Sequence, residues 1–172
     1  MNILLIGYRG TGKSTVGKLV AAQLGMQFLD ADAELERRAG QSIREIFASG
    51  GEATFRELEA VVLGDLLRGD QQVVALGGGA VLRPENRTTI KADHNCAIWL
   101  QAAATTLHER IAADASTAQR RPNLTAGGGL AEVERLLTAR EPLYRECASF
   151  TVDTEGKTPE QIAAEVVSLL VA

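Results

Sequence analysis

The sequence predicts an α/β domain with a five-stranded parallel sheet covered by helices on both faces. Three observations predict it. Short apolar runs alternate with segments of helical period along all 172 residues, so each strand is followed by a helical crossover. A glycine-rich turn, "GYRGTGKST" (7 to 15), separates the first apolar run from the first helical segment. No internal repeat or linker interrupts this order, and the length suits one well-buried domain spanning 1–172.

The elements follow in order. "NILLIG" (2 to 7) reads as a buried strand, and "KSTVGKLVAAQLG" (13 to 25) as a helix with Val16, Leu19, Val20 and Leu24 on one face. "MQFLD" (26 to 30) is a second strand, and "ADAELERRAG" a short helix ending at Gly40. Ser42 is placed to cap "SIREIFASGG", and residues 52 to 69 form a long amphipathic helix. "QVVALGGG" (72 to 79) is a third strand running into glycines, and "CAIWLQA" (96 to 102) a fourth, followed by a helix over 105 to 114. A helix over 130 to 147 leads to a fifth strand, "FTVDT" (150 to 154). The last helix carries Pro159 in its first turn, where a missing N–H costs nothing. Residues 114 to 129, small, polar and without period, read as a mobile lid.

Composition narrows the partners. Hydrophobic content of 45% and charged content of 23% are ordinary for a soluble protein. A net charge of -4 argues against general binding to nucleic acid or a membrane surface. The N-terminus shows no targeting segment, and no run is long enough to span a bilayer. Cys96 and Cys147 have no metal-ligand spacing and read as buried free thiols of a cytoplasmic protein. His94 and His108 read as surface or boundary residues.

The turn itself carries chemistry. Gly7 to Ser14 match G-x-x-x-x-G-K-[ST], between a strand and a helix as the mechanism requires. Glycines let successive backbone N–H groups point at phosphate oxygens, and the following helix adds its positive end. Lys13 can reach the β- and γ-phosphates of a nucleoside triphosphate, and the Ser14 hydroxyl can ligate Mg²⁺. Asp30 and Asp32 end the second strand, on the ligand edge of a parallel sheet. One can position the Mg²⁺ through water and the other accept a proton from an attacking hydroxyl; helix capping is their structural alternative. Gly77, Gly78 and Gly79 clear side chains from the end of the third strand. Arg56, Arg110, Arg121 and Arg140 each have a glutamate nearby, and each taken singly reads as half of a solvated ion pair.

Taken together and in this order, "GYRGTGKST", "FLDADAELERRAGQSIREIF", "GGEATFRELE", "ALGGGAV", "RRP", "AREPLYRE" and "VDT" closely resemble shikimate kinase, over nearly the whole chain. The resemblance implies a P-loop three-layer α/β/α sandwich, nucleoside-monophosphate-kinase-like, with strand order 2-3-1-4-5. It implies transfer of the γ-phosphoryl of ATP to the 3-hydroxyl of shikimate, with Mg²⁺, on the route to chorismate and the aromatic amino acids. The expected partners are these two small molecules, with no nucleic acid, no membrane and a monomeric chain.

Position by position, the resemblance makes Gly10, Thr11, Gly12, Lys13, Ser14 and Thr15 the phosphate loop, with Ser14 on Mg²⁺ and Asp30 behind it through water. Asp32 becomes the group that binds the shikimate hydroxyls and takes the proton, within a shikimate-binding region of about 32–60. Arg56 and Arg140 become a carboxylate clamp, with the backbone of Gly78 and Gly79 also touching substrate; a guanidinium fork matches a carboxylate. Arg121 becomes the lid arginine that closes on the transferring phosphate; its neighbour Arg120 is set aside because Pro122 follows Arg121. Arg110 lines the adenine, with Lys157 and Pro159 opposite, although Lys157 stands where arginine is common. The alternatives are another small-molecule kinase of the same fold, such as a gluconate kinase, and a non-catalytic nucleotide-binding module.

Overall fold

The structure is a computed structural model and describes residues 1–114 and 128–172. Arg120, Arg121, Pro122 and all but the ends of the expected lid lie outside the described residues. Five parallel strands, β1 (Asn2–Ile6), β2 (Gln27–Asp30), β3 (Gln72–Ala75), β4 (Asn95–Gln101) and β5 (Phe150–Asp153), form one sheet in the order β2-β3-β1-β4-β5. In the central register Leu4 pairs with Val74 on one side and with Ala97 on the other. β1 and β3 are buried throughout, which explains the apolar runs 3–6 and 73–75 that follow the buried polar Asn2 and Gln72.

Seven α-helices occur among the described residues: α1 (Lys13–Leu24), α2 (Ala31–Ala39), α3 (Ile43–Leu66), α4 (Pro84–Ile90), α5 (Ala104–Ala113), α6 (Gly129–Cys147) and α7 (Pro159–Val171). Because side chains alternate along a strand, each strand feeds two cores. Ile3 and Leu5 of β1 join Val16 and Val20 of α1 and Ile162 and Val166 of α7. Leu4 and Ile6 join Leu63 of α3, Ile90 of α4 and Tyr144 of α6. α5 and α6 pack together through Leu107, Val133 and Leu137, over Tyr8 just beyond β1.

Local signals place most boundaries. Ser42 caps α3 through a reciprocal box with Glu45, and Thr158 caps α7 in the same way with Gln161. The two helices expected over 42 to 69 form one element broken at Gly51 (φ 73°, ψ -177°). The short helix α4 and the single 3-10 turn before it (Ala80–Leu82) had no counterpart in the apolar pattern. Asn86 explains why: this polar residue is buried, and its side-chain amide donates to Ala80 O at 2.9 Å.

Candidate active site

Parallel strands all end on one edge of the sheet, and there the loops after β1, β2 and β3 enclose a cavity of about 390 Å³. Gly10, Gly12, Lys13, Ser14 and Thr15 form one wall. The loop turns through left-handed conformations at Gly10 (φ 86°) and Gly12 (φ 89°), which a side chain would resist. Gly12 caps α1, so the unpaired N–H groups of the first turn open toward the cavity. Thr11 lies beneath, buried, with its hydroxyl donating to Tyr8 O at 2.9 Å. The Lys13 ammonium donates to the carbonyls of Gly7 and Tyr8, both at 2.8 Å.

Asp30 and Asp32 line the opposite wall. The Ser14 hydroxyl donates to Asp30 Oδ2 at 2.6 Å, while Oδ1 of the same carboxylate accepts from the Ala33 N–H at 3.1 Å. Asp30 therefore caps α2 and braces the phosphate loop at once, so the capping alternative holds for Asp30. Asp32, in the first turn of α2, is half-buried. Among the described residues no cluster of three or more metal-binding acids, histidines or cysteines occurs. A cation here would ride on phosphates and the Ser14–Asp30 oxygen pair, which suits hard Mg²⁺.

Gly77 and Gly78 also line the cavity, whereas Gly79 and the buried Arg56 and Arg140 do not. The Arg56 guanidinium is 5.0 Å from the Phe55 ring centroid, bonds Glu59 at 2.8 Å, and reaches Glu52 at 3.3 Å. It fills the space a side chain at Gly79 would need. Arg140, only 5% exposed, faces the Tyr8 ring at 5.6 Å. Among the described residues no carboxylate pairs with it. The solvated ion pair read for Arg56 is corrected by the packing, since both Arg56 and Glu59 are buried.

Arg110 lines the cavity but pairs with no glutamate: it donates to Gly10 O, Thr154 Oγ1 and Thr154 O at 3.4, 3.0 and 3.2 Å. It thereby ties the loop to the residue just beyond β5. Lys157 bonds Glu165 at 2.6 Å, and Pro159 is exposed at the start of α7; neither lines the cavity. The pattern gave no role to Arg9, which lines the cavity and meets the buried Glu132 at 3.5 Å. Both cysteines are free and buried, and burial pushes the Cys147 thiol up to about 11.

A phosphate loop at the end of the central strand of a 2-3-1-4-5 sheet, faced by Asp30 of β2 and Asp32 of α2, places the protein among P-loop phosphotransferases of nucleoside-monophosphate-kinase type. The family model for shikimate kinase matches residues 9–171. The shikimate kinase of Rhodopirellula baltica is 43% identical over 166 residues, covering 96% of this chain and 88% of that protein. A solved shikimate kinase from Acinetobacter baumannii, in complex with shikimate, superposes with a TM-score of 0.92 at 35% identity, covering 99% of this chain and 92% of that one. A gluconokinase from Sinorhizobium meliloti, at 20% identity, TM-score 0.64 and coverage of 99% and 91%, shares the fold alone. The chain belongs to the shikimate kinase family.

Proposed function

We propose that this protein transfers the γ-phosphoryl group of ATP to the 3-hydroxyl of shikimate, giving shikimate 3-phosphate and ADP for aromatic amino acid biosynthesis. The observation that carries this reading is Arg140. A buried guanidinium without a carboxylate is costly unless an anion completes it. It stands over Tyr8 at the phosphate loop, and a second buried arginine, Arg56, abuts Gly79; two such cations suit a hydroxylated acid.

In this reading the phosphates lie on the loop from Gly10 to Thr15, and Lys13 leaves the carbonyls of Gly7 and Tyr8 to follow the charge. Mg²⁺, when bound, neutralises phosphate charge; Ser14 would ligate it directly and Asp30 through water. Arg56, Arg140 and the backbone of Gly78 and Gly79 hold the acid so that one hydroxyl faces the γ-phosphate. Asp32 orients that hydroxyl and takes its proton. Arg121, outside the described residues, is the further cation assigned to the transferring phosphate. Arg110, Lys157 and Pro159 frame the adenine. We assign the chain one domain spanning 1–172, and a monomeric, cytoplasmic state; no helix among the described residues is long and apolar enough to cross a membrane.

The test is ADP release measured against a panel of hydroxylated acids. Turnover should require shikimate. Turnover of gluconate would transfer the assignment to another kinase of this fold, and nucleotide binding without turnover of any acid would leave a binding module.

A further inference from the structure

The glycine turn that underlies the acid site contains a peptide with no side chain on either flank, between Gly78 and Gly79. Such a peptide rotates easily, because neither residue has a Cβ to oppose the turn. Its two polar ends have different fates. The Gly78 carbonyl accepts a hydrogen bond from the Tyr144 hydroxyl at 2.6 Å. Among the described residues, the Gly79 N–H has no protein acceptor. Peptide planarity makes the two ends one rigid unit, with C=O and N–H pointing in opposite directions. Whatever holds the oxygen aims the hydrogen.

Tyr144 is well placed to do so. It is completely buried, and its ring lies 5.7 Å from that of Trp99. It follows Arg140 by one helical turn on α6, so one helix presents both the buried cation and the hydroxyl. On the other side of the same peptide, Gly79 abuts the Arg56 guanidinium.

We propose that Tyr144 is a positioning residue for the acid substrate: by holding the Gly78 carbonyl it fixes the Gly79 N–H as a donor aimed at the substrate carboxylate. The bond also polarises the peptide, which strengthens the N–H at its other end. This inference rests on the shikimate reading above and extends it to a residue that does not touch the ligand.

Tyr144→Phe removes the hydroxyl and keeps the ring. Titration calorimetry with shikimate alone should show binding about tenfold weaker than in the unaltered protein, with ADP affinity and kcat changed less than twofold. Equal shikimate affinity in the two proteins overturns the inference. So does a parallel loss of shikimate and ADP affinity, which a merely structural residue would produce. A wild-type protein that binds no shikimate would instead overturn the functional reading. The unaltered protein supplies a check that needs no variant: the Gly79 amide resonance should shift downfield and its exchange slow when shikimate is added. An unmoved Gly79 amide in a shikimate-bound protein overturns the proposal whether or not the variant folds.

Discussion

The Arg56 guanidinium occupies the space that a side chain at Gly79 would need. A Cβ built on Gly79 would fall 2.5 Å from Arg56 Cζ and closer still to both terminal nitrogens. Arg56 cannot easily yield, since Glu59 bonds it at 2.8 Å and its side chain is only 9% exposed. Gly79→Ala should therefore raise KM for shikimate more than tenfold while leaving ADP affinity unchanged. Steady-state kinetics beside a calorimetric ADP titration separates the two; an unaltered KM would remove Arg56 from the acid site.

The Arg56–Glu59 pair makes a second prediction. Removing one partner of a buried ion pair strands the other charge, at a cost of about 3–5 kcal/mol. Glu59→Gln should lower unfolding stability in urea titrations by less than that amount, since Glu52, at 3.3 Å, still faces Arg56. Arg56→Lys should fold better than Glu59→Gln yet still bind shikimate poorly, because an ammonium cannot present a planar fork.

At the reacting end the losses should fall on rate. Asp32→Asn keeps the shape but cannot take the proton, so kcat should drop by about 10²- to 10⁴-fold with ADP binding intact. Lys13→Ala should reduce turnover by several orders of magnitude in a folded protein. Near-normal turnover in either variant would reassign the residue.

A fourth prediction concerns pH. Hydrogen bonds from Arg37 and then Arg38 hold the Glu34 carboxyl at about 2, against an ordinary 4.5. A folded value below the unfolded one means the contribution is complete above about 4.5 and is lost as pH falls through about 2. The melting-temperature gap between wild type and Glu34→Gln should be constant at neutral pH and close over that window. It should also be small and shrink in high salt, since Arg37 lies in solvent. A gap that widens toward acid would contradict the sign.

How much of this was legible in the sequence depended on what kind of signal each part leaves. The strands and most helices are written in apolar period, and the phosphate loop in glycines whose backbone angles few residues adopt. α4 is not, because Asn86, a polar residue, does its anchoring. Burial of Arg56 and Glu59 left no mark either: two charges three apart on a helix look alike in water and in a core. The bond from Tyr144 to Gly78 joins residues 66 positions apart, which no local pattern can report. Resemblance to a family supplied the site assignments that spacing alone left open between Asp30 and Asp32.

Lys13 has a consequence for choice among nucleotides. Its ammonium bonds the Gly7 and Tyr8 carbonyls, so the loop itself satisfies the cation that the proposed reading assigns to the phosphates. Any incoming anion competes with those two oxygens. A nucleoside monophosphate, whose single phosphate lies far from where the terminal groups would sit, offers the ammonium little reason to move. Each added phosphate brings charge closer and tilts the competition. If Lys13 follows the phosphates as proposed, selectivity for the longer phosphate chain would come from a rivalry inside the loop itself, without any residue measuring the chain's length.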